Sequence, residues 1–214
     1  MNVIARFALI AFLLGASGSA ASAGSINAEV VDASGKPLEN AIVYALPRTP
    51  ATGSKPVEIS PVKIDQIDKE FVPRVSAIQT GTPVAFPNSD NIRHQVYSFS
   101  PAKTFTLKLY SGQPSEPVVF DKPGLVVLGC NIHDHMVAWL LIVDTPWFVR
   151  TNAAGRASLK NLPAGSYDLM AWHPGVAEPV ATGALELAED ASVDRRIALA
   201  AAEVPRLSPA PASE

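Results

Sequence analysis

Residues 129–143 read GCNIHDHMVAWLLIV, a loop rich in metal-ligand side chains that runs directly into an apolar segment. Cys130 is the only cysteine among 214 residues, and two histidines and a methionine follow it within six positions. The apolar run Met136–Val143 is short, which fits a buried β-strand and not a membrane-spanning segment. This stretch therefore predicts a ligand-bearing loop held in place by a buried strand.

The side chains of this loop suit copper. Thiolate, imidazole and thioether groups form trigonal copper sites in which two histidines and one cysteine bind strongly and a methionine binds weakly. A tightly turning loop can supply Cys130, His133 and Met136 to one ion, and the second imidazole must then come from elsewhere in the chain. His94 stands beside a predicted strand and can provide it. We therefore expect a mononuclear copper site on a β-sandwich.

Each of these residues also has a simpler interpretation. A lone cysteine is usually a small buried apolar side chain, and Met136 can be filler in the core. His94 by itself can be an ordinary surface histidine. Against this, the chain has only four histidines and three methionines, and two of the histidines and one methionine lie beside Cys130. That clustering favours the ligand interpretation.

Residues 1–23 have the pattern of a secretory signal peptide: a positive charge at Arg6, an apolar run from Phe7 to Leu14, and Ala21-Ser22-Ala23 as a cleavage site. We expect cleavage near Ala23 and a periplasmic protein without a membrane span, because the apolar run is too short. Cysteines usually pair in such oxidising compartments, so a solitary one calls for a chemical role.

Removing the segment leaves 16 basic and 20 acidic residues, a formal charge of −4. No basic patch for nucleic acid is present.

The remaining sequence predicts β-structure throughout. From residue 57 to 143, short β-rich runs alternate with turn signals about every ten residues, which is typical of a sandwich or barrel, and no long helical repeat occurs. Residues 25–32 and 41–46 flank a Gly/Pro turn and predict a strand pair, while residues 148–156 predict a hairpin. The other predicted strands are Val57–Ile64, Phe71–Ile78, Pro83–Phe86, Gln95–Ser98, Thr104–Tyr110, Val118–Phe120, Leu125–Leu128, Val137–Val143, Tyr167–Trp172, Leu185–Leu187 and Val193–Leu199.

Two resemblances to known families arise from particular segments. FPNSDNIRHQV (86–96), Pro123-Gly124 and CNIHDHM (130–136) resemble the cupredoxin family of blue copper proteins. The C-x-x-H-x-x-M spacing is similar to the short loop of amicyanin, whereas plastocyanin-type loops are longer, and the overall length resembles exported cupredoxin-like methylamine utilisation proteins. DASGKPLENAIV (32–43) and TNAAGRASLKNLPAGSYDLMAW (151–172) are similar to the transthyretin-like carboxypeptidase regulatory-like domain.

These resemblances imply an all-β fold: a Greek-key cupredoxin β-sandwich over residues 57–144 and a second, small transthyretin-like β-sandwich over residues 145–200. Residues 24–56 would supply an N-terminal strand pair and a linker, and residues 201–214, rich in Ala, Pro and Ser, would be a disordered tail. One hypothesis is that residues 25–48 and 146–200 are halves of one sandwich with the copper domain inserted between them. The alternative is two domains in series, with the first strands belonging to the cupredoxin.

The cupredoxin resemblance also implies individual roles. His94, Cys130 and His133 would be the strong equatorial ligands, and Met136 the weak axial ligand. The family loop does not require His135, which can compete as fourth ligand or, as we prefer, face solvent. Gln95 departs from the asparagine that many cupredoxins carry after the first histidine, so hydrogen bonds around the thiolate are not transferred to this chain.

The leading functional hypothesis is an exported carrier of single electrons that uses one copper ion and contacts redox partner proteins transiently. It is not expected to be an enzyme, because four protein ligands leave no open position on the metal, and no nucleophile or phosphate-binding motif occurs. One alternative is copper handling, as a chaperone or store, without electron transfer; His135 beside His133 favours it. The other is a metal-free structural β-module.

Overall fold

The structure is a computed structural model that describes residues 23–49, 59–114 and 116–202. Most of the predicted signal peptide, part of the predicted linker and the tail from residue 203 lie outside the described residues. Within those ranges the chain contains strands and no helix, so the all-β fold class is confirmed, and no helix there is long and apolar enough to cross a membrane. The strands are β1 (Gly24–Asp32), β2 (Ile42–Pro47), β3 (Val62–Lys63), β4 (Asp65–Ile67), β5 (Glu70–Val72), β6 (Val75–Gln79), β7 (Thr82–Ala85), β8 (His94–Ser100), β9 (Lys103–Tyr110), β10 (Val118–Phe120), β11 (Gly124–Gly129), β12 (Val137–Val143), β13 (Phe148–Arg150), β14 (Arg156–Leu162), β15 (Gly165–Trp172), β16 (Val180–Leu187) and β17 (Ser192–Leu199).

Strands from the two ends of the described chain form one sandwich, here called the terminal sandwich. One sheet has the order β14-β1-β17 and the other β13-β2-β15-β16. β1 alternates between buried and partly exposed residues, so one face of it enters the core. The two sheets share one apolar core, which includes Ile26, Val30, Val43, Tyr167, Leu169, Ile197 and Leu199.

Strands from the middle of the chain form a second sandwich, here called the central sandwich. Its sheets have the orders β10-β7-β3 and β6-β12-β11-β8-β9, with the small hairpin β4-β5 beside them. Apolar side chains from both sheets make one core, which includes Ile78, Val84, Phe86, Val96, Phe120, Leu128 and Leu140. Cys130 and Met136 belong to that core, so the predicted ligand loop is anchored in it.

Strand β12 joins the two sandwiches. Ala138, Leu140 and Ile142 face the central core, whereas Leu141 and Val143 pack in a third apolar cluster. That cluster also contains residues of the terminal sandwich, among them the fully buried Trp172. Burial on both faces explains why β12 is a continuous apolar run and not an alternating one.

Two predicted pairings are wrong. β1 and β2 do not pair with each other but lie in different sheets, and the predicted hairpin at residues 148–156 is divided between β13 and β14, which also lie in different sheets. Each of these turns carries the chain from one sheet of the sandwich to the other, so partners come from distant sequence.

Val30 pairs with Ile197, and Val43 pairs with Val149 and Ala171. The first strands therefore share sheets with the chain's later strands and not with the central sheets, which is the pairing that the insertion hypothesis requires. The transthyretin-like assignment of this sandwich stays a prediction.

Other strand boundaries also differ from expectation. The run Phe71–Ile78 is split into β5 and β6 around Pro73, which has no N–H to contribute to a ladder. Of Val57–Ile64, only Val62–Lys63 is a strand, and residues 57–58 lie outside the described residues. Strands β4 and β14 were not predicted as separate elements, and β16 is longer than Leu185–Leu187.

Candidate metal centre

His94 is fixed by the loop that precedes it. It is the first residue of β8, and its side chain is fully buried. Before it, the Asn88 amide Nδ2 donates to the carbonyls of Ile92 at 2.9 Å and Tyr110 at 2.8 Å, while the Asp90 N–H donates to Asn88 Oδ1 at 3.1 Å. Because the Asn88 side chain bonds to Asp90 and Ile92 within this turn and to Tyr110 on β9, it holds the approach to His94 in one conformation.

Cys130 and His133 lie in the loop between β11 and β12. Two tight turns close this loop: the Met136 N–H donates to the His133 carbonyl at 2.9 Å, and the Val137 N–H donates to the His135 carbonyl at 3.0 Å. Cys130 is buried and His133 is partly exposed. β11 is adjacent to β8, with Gly129 opposite Tyr97, so the sheet places the loop against His94.

Three of the predicted ligands converge. The Nδ1 atom of His94 lies 3.8 Å from the Cys130 sulfur, and the Nδ1 atom of His133 lies 4.0 Å from the same sulfur. The ligand atoms of all three residues are within 4.8 Å of one another. The two imidazole rings are tilted at 62° with centroids 5.0 Å apart. Residues distant in sequence thus point donor atoms at one common space.

This spacing fits one metal ion. Metal–sulfur bonds of about 2.3 Å and metal–nitrogen bonds of about 2.0–2.1 Å, opened by roughly 120°, separate sulfur from nitrogen by about 3.8 Å. The observed separations of 3.8 and 4.0 Å agree with that arithmetic, and they are long for direct hydrogen bonds to either ring. The donor set is one thiol and two imidazoles, a combination suited to a first-row transition metal.

Met136 and His135 differ in where their side chains lie relative to His94, Cys130 and His133. The side chain of Met136 is buried in the same apolar core as Cys130. His135 is not in the group of converging ligand atoms; its ring centroid is 5.8 Å from that of His133. The expectation that His135 faces solvent is wrong for its Nε2 atom, which is buried without a hydrogen-bond partner among the described residues. The identity of a fourth ligand stays a prediction.

The surroundings keep His133 neutral. Burial lowers the pKa of its imidazole below the usual range, and the nearby His94 and His135 rings lower it further. A neutral ring has a nitrogen lone pair free to bind a metal near neutral pH. His133 is also partly exposed while His94 is fully buried, and Ile132 beside it is 48% exposed. The site therefore reaches the surface through the His133 ring.

A carboxylate lies behind His94. The Nε2 atom of His94 is 2.6 Å from Asp90 Oδ2. Asp90 also accepts the N–H groups of Asp68 at 2.6 Å and Lys69 at 2.9 Å, which form the tip of the β4-β5 hairpin. Burial opposes ionisation of Asp90, but the Lys69 N–H, the His94 ring and the Asp68 N–H outweigh it, so its pKa lies below the usual value. Asp90 was not predicted from the sequence, where its position four residues before His94 was the only available signal.

A buried glutamine and a partly buried tyrosine support the same loop. Gln66 is fully buried, and its Nε2 atom donates to the carbonyl of Pro87 at 3.1 Å and to the Tyr110 hydroxyl. The Tyr110 hydroxyl in turn donates to the carbonyl of Phe86. Burial raises the pKa of Tyr110 to about 12, so it stays a neutral donor. Together these bonds attach the start of the loop to β4 and β9.

The fourth histidine has a structural role. His173 Nδ1 accepts the Gly175 N–H at 3.1 Å in the turn after β15. It is not among the converging ligand atoms found in the described part of the chain.

Comparisons with known proteins give structural neighbours only. No family model matches the chain, and no curated protein matches it. Among solved structures the chain is similar to a copper-containing nitrite reductase from Thermus scotoductus, at 26% identity over 47% of this chain and 26% of that chain, with a TM-score of 0.38. It is also similar to a purple cupredoxin from Nitrosopumilus maritimus, at 19% identity over 38% of this chain and 99% of that one, with a TM-score of 0.35. An oxidised amicyanin variant matches at 15% identity over 39% of this chain and 82% of that one, with a TM-score of 0.35. The chain thus spans about a quarter of the nitrite reductase.

Proposed function

We propose that this protein binds one copper ion through His94, Cys130 and His133 and carries single electrons between partner proteins. The observation that carries the proposal is the convergence of a buried thiol with two imidazole Nδ1 atoms at 3.8 and 4.0 Å. Copper supplies the one-electron redox couple when bound, and one soft sulfur with two imidazoles is a donor set that accommodates both of its oxidation states.

The protein's own contribution is rigidity. His94 is fully buried, the Asn88 side chain braces the turn before it, and the Cys130 loop is closed by two backbone hydrogen bonds. Ligands held in this way rearrange little when the charge on the metal changes, which favours fast electron transfer. Met136, buried in the same core as Cys130, is the proposed weak fourth ligand. With four protein ligands the metal would have no open position for a substrate. The proposed role is therefore carriage and not catalysis.

The proposed partner surface surrounds His133. This imidazole is the partly exposed ligand, and the exposed Ile132 adjoins it. Redox encounters are small and transient, so a limited apolar rim around one ring is sufficient. The sequence pattern of residues 1–23 supports a periplasmic location for this exchange. The strand pairing supports an arrangement in which the central sandwich is inserted into the terminal one.

The test is the visible spectrum of the mature protein after addition of copper(II), with Cys130→Ser beside the wild type. We expect a strong thiolate-to-copper absorption band and a reversible one-electron wave in the wild type, and neither in the variant. A wild type that binds copper without the band, or that binds none, would contradict the proposal. Circular dichroism of both proteins controls for folding.

Copper handling without electron transfer is the second candidate. The buried Nε2 atom of His135 has no hydrogen-bond partner within the described part of the chain, and its ring packs against His133, so an additional donor lies near the site. Such a role predicts rapid copper loss to a chelator together with a poorly reversible wave. Slow loss of copper to the chelator, together with a reversible voltammetric wave, excludes copper handling and favours the electron carrier.

A further inference from the structure

The β4-β5 hairpin holds a carboxylate in place behind the buried ligand His94. Asp68 and Lys69 at its tip both have positive φ, 53° and 60°. Two successive residues with positive φ form the type I′ turn of a hairpin with a two-residue loop. Their N–H groups donate to Asp90, at 2.6 Å to Oδ1 and 2.9 Å to Oδ2. The carboxylate is therefore oriented by the backbone, independently of any metal.

Asp90 in turn contacts the far side of the His94 ring. Its Oδ2 atom lies 2.6 Å from Nε2, while Nδ1 on the other side of the ring is 3.8 Å from the Cys130 sulfur. A carboxylate accepts hydrogen bonds, so this contact places the ring proton on Nε2 and leaves the lone pair of Nδ1 directed at the metal position. From this geometry we infer that Asp90 is a positioning residue that fixes the tautomer of His94 and tunes the bound copper.

The inference rests on the proposed copper function and extends it to the reduction potential. A carboxylate behind a ligating histidine makes the ring a stronger electron donor. Loss of such a partner typically lowers the metal affinity by about 10–100-fold. The more highly charged copper(II) gains more from this donation than copper(I) does. Asp90 therefore lowers the reduction potential of the site, an effect that a purely structural loop contact does not produce.

The central comparison is Asp90→Asn, which keeps the shape and one acceptor oxygen but removes the charge. We expect the affinity for copper(II) to fall about tenfold and the affinity for copper(I) to change little. A tenfold loss of copper(II) affinity relative to copper(I) affinity raises the one-electron reduction potential by about 59 mV. Asp121→Asn is the matched control, because it removes the same charge from a side chain that is 71% exposed and paired with Lys103. The control should leave affinity and potential unchanged.

A measurement on the metal-free wild type needs no variant. Nitrogen-15 NMR of the His94 ring should show the proton on Nε2 and a free Nδ1, and a proton on Nδ1 overturns the inference. An Asp90→Asn protein with wild-type copper(II) affinity and potential overturns it as well. If the wild type lacks the thiolate band, the proposed function fails and the inference falls with it. A normal band combined with an unchanged Asp90→Asn potential refutes the role of Asp90 alone.

Discussion

At the scale of single residues, Met136 has an observed place in the core and a proposed role as weak ligand, and substitution can separate the two. The residue is 1% exposed in the core of the central sandwich, and it lies three positions after His133. Met136→Leu conserves volume, so it should cost the metal-free protein less than about 1.5 kcal/mol of unfolding free energy. Loss of the thioether should nevertheless shift the copper spectrum and the potential. Chemical denaturation and voltammetry measure the two effects separately.

His135→Gln is the matched comparison for the fourth ligand. His135 lies outside the converging donor atoms, so this variant should keep the wild-type spectrum. The opposite pattern, an altered spectrum for His135→Gln and a normal one for Met136→Leu, would make His135 the fourth ligand.

Cys130 and His133 could be predicted as neighbours in a site because they lie three residues apart in the sequence, and a thiol so close to an imidazole indicates a ligand pair. His94, which the structure brings to them, comes from a distant segment and was predicted from its position beside a strand. Asp90 could not be found in this way, because its partners Asp68 and Lys69 come from a hairpin that the sequence analysis missed. The buried Nε2 of His135 was missed for a similar reason, since burial depends on tertiary packing.

At the scale of elements, the turn before β14 depends on Gly155. Its φ is +68°, and an added Cβ would lie 2.4 Å from the Val30 carbonyl oxygen of β1. Gly112 has a similar φ of +73°, and among the described residues no atom lies within 4 Å of the added Cβ. Gly112→Ala should therefore cost about 1–2 kcal/mol from backbone strain alone, and Gly155→Ala should cost that plus about 1–3 kcal/mol from the clash. Urea unfolding of the two variants measures the difference, and equal losses would contradict the close contact with β1.

The turn after β15 should make stability depend on pH. Burial lowers the pKa of His173, so the folded protein keeps this ring neutral where the unfolded chain protonates it. Stability is therefore fully present above the ordinary histidine pKa of about 6.5 and is lost as pH falls through the lower folded value. Between about pH 7.5 and about pH 5.5, the unfolding free energy of the wild type should fall more than that of His173→Gln. The other histidines are common to both proteins, so parallel pH profiles would contradict the effect.

Turn signals located most of the strands, although not β4 or β14, and they did not identify the strands' partners. Both the Gly/Pro turn after β1 and the turn around Gly155 were recognised from sequence, yet each connects two sheets and not two neighbours in one sheet. Local sequence encodes that the chain reverses. Which strand then receives β1 is decided by burial of its apolar face against residues far away, such as Ile197.

At the scale of the whole molecule, the two sandwiches share an apolar cluster through β12. Leu141 and Val143 on this strand meet Tyr44 and Trp172 of the terminal sandwich. The Arg150 Nη1 atom of the terminal sandwich also donates to the carbonyl of Val75 in the central one, at 3.0 Å. Because this strand is buried on both sides, we expect the folding of the predicted ligand loop that precedes it to be coupled to the packing of the terminal sandwich.

Neighbouring leucines on β12 test this coupling, because they face opposite ways. Leu141 is 1% exposed in the shared cluster, and Leu140 is fully buried in the central core. Each Leu→Ala change removes similar apolar volume and should cost about 2–5 kcal/mol. Leu141→Ala should weaken amide hydrogen-exchange protection in strands on both sides of the cluster, β2 and β15 as well as β6 and β12. Leu140→Ala should lower protection mainly in the central strands. If Leu141→Ala leaves β2 and β15 protected as in the wild type, the cluster does not join the two sandwiches energetically. The candidate metal site is then supported by the central sandwich alone.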